Sequence, residues 1–269
     1  MTTKDLLALP PSVPDFTIPY GEDSSQFGQL RLPGGPGPHP VAIVIHGGCW
    51  QAAYDLHYIG PLASAITGLG FATWSLEYRR IGNPGGGWPG TFLDVADGVD
   101  HLTEMAAEHR LDLDRVMVIG HSAGGHLALW TAARHKLMQA GPLYRTDPLP
   151  IQGVVSLAGV GDLSVLEHQR GCGNAATELM GGAREEFPSR YAQGSPIEML
   201  PIGIPQVLVQ GAMDPIISPQ GASCYLAALQ EAGDSGRLVL LEDAGHFEVV
   251  IPTSYAWDAI RDALLGFLK

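Results

Sequence analysis

Six short apolar runs separated by stretches of helical spacing restrict this chain more than any other feature. They read VAIVIH (41–46), FATWSLEY (71–78), VMVIG (116–120), IQGVVSLAG (151–159), PQVLVQG (205–211) and RLVLLE (237–242). A strand that is apolar at successive positions offers no face to water, so runs of this kind suit a parallel sheet covered on both sides. Between the second and third runs, residues 91–109 open with Thr91 and Asp94 in a T-x-x-D capping pattern and set Phe92, Val95, Val99 and Leu102 on one helical face. Residues 253–269 repeat the logic with Trp257, Ile260, Leu264 and Leu268. The alternation predicts a doubly wound, mostly parallel α/β sheet. A length of 269 residues suits one domain, with a core that needs neither disulfides nor structural metal.

Charge narrows the partners. Lys and Arg number 15 against 28 Asp and Glu, a formal charge of −13, which disfavours nucleic acid and anionic membrane surfaces. The opening MTTKDLLALPPSVPDF has too short an apolar run for a signal-peptide core, and no later run is long enough to span a bilayer. Cys49, Cys172 and Cys224 are odd in number, far apart and in no C-x-x-C pair, which predicts a reducing compartment, hence a soluble cytoplasmic protein, and no zinc site. No G-x-G-x-x-G follows the first run and there is no P-loop lysine, so nucleotide-dependent redox chemistry ranks last.

Within DRVMVIGHSAGGH (114–126) a strand breaks at Gly120, presents Ser122 and breaks again at Gly124. With 35 glycines in the chain, G-x-S-x-G carries little weight by composition alone. Its position carries more: a strand ends immediately before it and the helix-forming HLALWTAARHK follows. A sharp strand-to-helix turn strains the serine backbone and admits only small residues two positions to either side. In such a sheet, reactive groups gather where strands end. A serine hydroxyl needs a base to take its proton, and His246, in DAGHF just past the last run, is the best candidate among ten histidines. His121 and His126 read as packing, and His109 and His135 as helix-end cations. The base needs a carboxylate. Asp214, in QGAMDPIIS, follows a strand and precedes the histidine, although before Pro215 it also reads as a turn starter. Asp162, in AGVGDL, is its rival, whereas Glu242 and Asp243 stand too near His246 in sequence. For the oxyanion, IHGGCW (45–50) offers the N–H groups of Gly48 and Cys49, joined by that of Ala123. His46 then orients the loop, and the Cys49 sulfur is packing. No metal is called for.

Taken together, HGGCW, GHSAGG, Asp214 and DAGHF resemble the serine esterases of the α/β-hydrolase superfamily over most of the chain. The H-G-G-x-W form, with Trp50 where many esterases and lipases carry another glycine, is similar to the kynurenine formamidases and the bacterial esterases close to them. The likeness extends through HSAGGHLA. It implies an α/β-hydrolase fold and cleavage of a small-molecule ester or aryl formamide through an acyl-enzyme, without cofactor. The glycine-rich YRRIGNPGGGWPGTF (78–92) departs from the formamidases. It is expected to border the site, with Trp88 as one wall and Trp50 supporting the oxyanion loop, the two candidate substrate-binding residues. Residues 168–200 break the strand and helix rhythm and predict a small cap or insertion at about 164–200, suited to short acyl groups. Short-chain esters are therefore expected first and N-formylkynurenine second. A non-catalytic binding protein on the same fold stands behind both, since it would normally lack a catalytic group. Oligomeric state is left open.

Overall fold

The computed structural model describes residues 5–268 apart from 7, 10 and 169–171. Two short strands that no apolar run announces come first, β1 (Phe16–Pro19) and β2 (Phe27–Arg31). The six runs follow as β3 (His39–Ile45), β4 (Ala72–Leu76), β5 (Leu111–His121), β6 (Gly153–Leu157), β7 (Gln206–Gly211) and β8 (Gly236–Leu241). They make one sheet in the order β1-β2-β4-β3-β5-β6-β7-β8. The pairs β1/β2 and β2/β4 are antiparallel, and all others are parallel.

The continuous hydrophobicity of the runs has a direct physical cause. Along β3, Val41, Ile43 and Ile45 join Trp74, Leu76, Val116 and Val118 on one face, while Ala42 and Val44 join Met117, Ile119, Val155 and Leu157 on the other. Helices cover both faces: α1 (Gly60–Thr67), α2 (Gly90–Asp100), α3 (Leu102–His109), α4 (Ala123–Ala133), α5 (Ala175–Met180), α6 (Pro188–Gly194), α7 (Pro219–Glu231) and α8 (Ala256–Gly266). Residues of α1 and α8 pack on the second face, and those of α2, α4 and α7 on the first. Helix α4 is buried along its whole length. Its outer side lies under residues 193–194, where Trp130 Nε1 donates to Gln193 O at 2.9 Å and His126 Nε2 lies 2.8 Å from Gly194 O.

Two expectations need correction here. The single helix over 91–109 is two helices, interrupted at His101. The T-x-x-D pattern is not a cap: Thr91 lies inside α2, and its hydroxyl donates to Arg79 O and accepts from Gly87 N–H. Asp94, fully buried, instead takes a two-pronged hydrogen bond from the Arg79 guanidinium at 2.7 and 2.8 Å. That bond pins the 78–92 loop to α2, so the residue type reads correctly and the partner is tertiary. Within the expected cap region, short helical turns span Leu163–His168 and Pro196–Met199 around α5 and α6, and residues 169–171 lie outside the described residues.

Candidate active site

Ser122 joins β5 to α4 with φ 55° and ψ −119°, a conformation that costs a non-glycine residue on the order of 1–3 kcal/mol and needs its surroundings to impose it. Those surroundings are glycines. A Cβ on Gly120 would run into Gly124 O, and one on Gly124 into the carbonyl oxygens of Ile45 and His46, so β3, β5 and α4 close around the turn only because both side chains are absent. The Ser122 N–H is held by Leu157 O at 2.8 Å, and Ser122 O accepts from His126 N–H at 3.1 Å. Among the described residues its hydroxyl has no hydrogen-bond partner.

His246 follows β8 and stands with Ser122 on the wall of a cavity of about 110 Å³. Its Nδ1 is 2.7 Å from Asp214 Oδ2. The other Asp214 oxygen accepts from the N–H groups of Ile216 and Ile217, and Gln210 Nε2 donates to Oδ2 at 3.0 Å. Burial pushes the Asp214 carboxyl up, but its hydrogen bond to His246 and the two backbone donors outweigh that and hold it below the usual carboxylate range. Asp162 is elsewhere, accepting from the N–H and hydroxyl of Ser164. The structure therefore brings His246 to Asp214 and not to Asp162. Gly211, at the end of β7, gives the 244–245 loop its room, since a Cβ there would strike Ala244 O and Gly245 O.

Gly48 and Cys49 line the same cavity as Ser122, with φ of 108° and 52°. Ala123 opens α4, where a helix leaves its first N–H groups without helical acceptors. Among the described residues, none of these three N–H groups donates to another protein group. Behind the loop, His46 is fully buried, stacked on Tyr78 at 4.4 Å and 3.1 Å from Glu77 Oε1. Glu77 also pairs with Arg80 at 3.1 Å and accepts from the Leu56 N–H. Although burial raises the Glu77 carboxyl, His46 and Arg80 hold it below its ordinary value.

A second brace carries no signal in the sequence. The Gly47 N–H donates to Tyr58 OH at 2.6 Å, that hydroxyl lies 2.9 Å from His121 Nδ1, and His121 Nε2 is 3.0 Å from His246 O. Since a carbonyl only accepts, Nε2 carries the proton and Nδ1 accepts from Tyr58. Burial and the neighbouring His246 push His121 down to about 3, which keeps the ring in this neutral form. The 47–49 loop and the His246 loop are thereby connected through side chains. A tyrosine 63 residues from its histidine leaves no local spacing to detect.

Two other expectations change. Trp50 is 1% exposed and packs edge-on against His126, and Trp88 packs edge-on against Phe92; neither is among the residues lining the cavity at Ser122. Cys49 is not a free thiol packed in the core: it forms a disulfide with Cys172, 123 residues away. Cys224 remains a free, exposed thiol. The odd count therefore hid one pair and one single cysteine.

The BD-FAE family matches residues 31–229, which include Ser122 and Asp214 and end before His246. The chain belongs to the BD-FAE family. Among its curated relatives, esterase LipQ of Mycobacterium tuberculosis is 27% identical over 204 residues, 72% of this chain and 46% of that one. A probable isoprenylcysteine alpha-carbonyl methylesterase of Arabidopsis thaliana, ICMEL1, is 24% identical over 246 residues, 87% of this chain and 51% of the other. This BD-FAE chain thus spans about half the length of the curated relatives it matches. Among solved structures, esterase B from Lactobacillus Rhamnosis superposes with a TM-score of 0.82 at 21% identity, covering 98% of this chain and 89% of that one. A truncated carbohydrate esterase from gut microbiota gives 0.79 at 18%, covering 93% and 94%. The shared architecture is the α/β-hydrolase fold.

Proposed function

We propose that the protein hydrolyses carboxylic esters with short acyl groups, through an acyl-enzyme formed on Ser122. The observation that carries this reading is a serine in a strained strand-to-helix turn sharing a cavity with a histidine whose far nitrogen is held by a buried aspartate. With Nδ1 held by Asp214, His246 presents Nε2 as the base. Ser122 Oγ bonds to the ester carbonyl carbon as its proton passes to His246, and the carbonyl oxygen, now carrying the charge, is met by the N–H groups of Gly48, Cys49 and Ala123. The alcohol then leaves with the proton from His246. Water repeats the sequence and frees the acid. The likeness to proteins named as esterases supports the same reaction class.

The small cavity supports short acyl groups: its walls include Leu6, Tyr54, Tyr58, Ile216 and Phe247 and its volume is about 110 Å³. Residues 164–200 serve in this reading as a small cap. Aryl formamides rank second because N-formylkynurenine carries an amino-acid carboxylate, and neither Arg79, paired with Asp94, nor Arg80, paired with Glu77, is spare to receive it. The compartment proposed is an oxidising one, where a bond such as Cys49–Cys172 persists, in place of the cytoplasm expected from the cysteine count. No helix among the described residues is long and apolar enough to cross a membrane.

The test is kcat/KM for p-nitrophenyl acetate, butyrate and octanoate and for N-formylkynurenine, on wild type and Ser122→Ala. Short esters should lead, and the alanine variant should lose turnover and phosphonate labelling while staying folded. Full activity in Ser122→Ala would refute the nucleophile. A tenfold lead for the formamide, about 1.4 kcal/mol of transition-state stabilisation, would reverse the substrate order.

A further inference from the structure

The oxyanion loop contains an uncommon run of backbone. Gly48, Cys49 and Trp50 all have positive φ, at 108°, 52° and 55°, and two of the three carry side chains. Left-handed conformations at ordinary residues are held by their surroundings or given up. On one side the loop is fixed where the Gly47 N–H meets Tyr58 OH. On the other, Trp50 O accepts from the Ile81 N–H at 2.8 Å, the Ala52 N–H donates to Ile81 O at 2.9 Å, and the Trp50 indole is buried. Cys49 lies between these clamps, and among the described residues its N–H donates to no protein group. The turn that contains Cys49 is closed by the Gln51 N–H, which donates to Gly48 O at 2.9 Å, and the Cys49 side chain is tied down by its sulfur, bonded to Cys172.

The far end of that bond is well anchored. Cys172 O accepts from the Ala175 N–H at 3.1 Å at the start of α5, whose Ala175, Ala176, Leu179 and Met180 are buried. Leu179 O in turn accepts from the Trp88 N–H at 2.7 Å, on the loop that follows β4.

Resting on the ester-hydrolase reading, we propose that Cys172 is a positioning residue: through its disulfide it holds Cys49 in the left-handed conformation that aims the Cys49 N–H at the developing oxyanion. The consequence falls on the transition state. A ground-state carbonyl gains little from that donor, whereas the charged oxygen gains much, so loosening the tether lowers kcat and leaves KM nearly unchanged. Reduction has the same effect as mutation. A dithiol such as dithiothreitol supplies two electrons and two protons, the S–S bond becomes two thiols, and the reductant closes to its cyclic disulfide.

The experiment compares wild type with Cys172→Ser, Cys49→Ser, the double variant and Cys224→Ser, after mass spectrometry under non-reducing conditions has mapped the disulfide. Removing an oxyanion donor outright costs on the order of 10²–10³ in kcat, and a misaimed donor should cost less. The expected result for Cys172→Ser is therefore a drop of about 10- to 100-fold in kcat on p-nitrophenyl acetate, with KM within twofold and a matching fall in the rate of phosphonate labelling. Cys49→Ser should show the same loss, and the double variant no further loss. Dithiothreitol should reproduce it in wild type, reversibly on reoxidation, and have no effect on Cys172→Ser. Cys224→Ser should behave as wild type throughout. The reduced and reoxidised wild type keeps the test decisive should a serine variant fold poorly. A kcat within twofold of wild type in reduced protein, a loss carried in KM, or free thiols at 49 and 172 in the purified protein would each overturn the proposal while leaving the ester reading intact. A wild type with an intact disulfide that neither turns over esters nor takes the label refutes the ester reading, and this inference with it.

Discussion

Asp214 answers two demands with two oxygens. Oδ1 closes the turn before α7 by accepting from the Ile216 and Ile217 N–H groups, and Oδ2 faces His246 and Gln210. The turn-starter reading and the charge-partner reading of the sequence therefore describe one residue. Substitution by asparagine tests the split, because the amide retains an acceptor for the turn but removes the charge that favours a histidine cation during proton transfer. We expect Asp214→Asn to lose on the order of 10³- to 10⁴-fold in kcat, with its urea midpoint changed far less. Asp162→Asn should remain within a few-fold of wild type, since among the described residues Asp162 bonds within its own turn to Ser164 alone. Steady-state kinetics on one ester decide the matter, and the reverse ranking would move the acid to Asp162. Ser122, Asp214 and His246 are legible from sequence because each sits just past an apolar run, where a strand end must deliver it to the same edge. Tyr58, Glu77 and Cys172 are not legible in this way. Their partners His121, His46 and Cys49 come from distant parts of the chain, His121 from the end of β5, and only the folded sheet brings them close.

The elements around the serine turn depend on missing side chains. Strand β5 pairs with β3 so that Gly120 lies beside Ile45, and α4 starts within reach of the same carbonyls. Gly124→Ala would drive a methyl group into Ile45 O and His46 O, backbone atoms that cannot move without shifting β3. Overpacking of this kind costs roughly 1–3 kcal/mol, and here it also displaces the loop proposed to meet the oxyanion, so both the urea midpoint and kcat should fall. Gly221, in α7, has open space where a methyl group would stand, with no neighbouring atom within 4 Å, and the same substitution there should stabilise by up to about 1 kcal/mol through helix propensity. Equal effects at the two sites would contradict the steric account. Strands β3, β4, β6 and β7 are legible because burial on both faces imprints continuous hydrophobicity, whereas β8, at the sheet edge, is apolar in sequence yet only partly buried. Strands β1 and β2 are not legible. They are antiparallel and short at one end of the sheet, and Gly28 of β2 packs its bare Cα side against the Trp74 ring, so the contact is made by the partner's side chain. The helix break at His101 was equally hidden. Asp100 turns to Arg134 and accepts from the Leu149 N–H, tertiary bonds without a local signal.

Across the whole molecule, burial of the two histidines that flank the serine sets how stability should respond to acid. Burial pushes His126 down to about 4, and burial together with nearby His246 pushes His121 down to about 3. In the unfolded chain both titrate near 6.5. Between about 6.5 and 4 the unfolded state therefore binds protons that the native state refuses, and stability rises with pH across that window. On acidification the loss begins below about 6.5, well above the ordinary carboxylate range. The depressed carboxyls of Asp214 and Glu77 act in a lower window: each contributes stability above its unfolded value, and that contribution is lost as pH falls through its folded value. Two protons correspond to a maximal slope of about 2.7 kcal/mol per pH unit from the histidines. His126→Gln keeps a donor for Gly194 O without the titrating ring and should roughly halve that slope. Urea unfolding followed from pH 8 to pH 4 reads both quantities. A midpoint that stays flat until pH 4 would mean that the two rings accept protons in the folded protein, and the buried neutral His121 that links Tyr58 to the His246 loop would have to be abandoned.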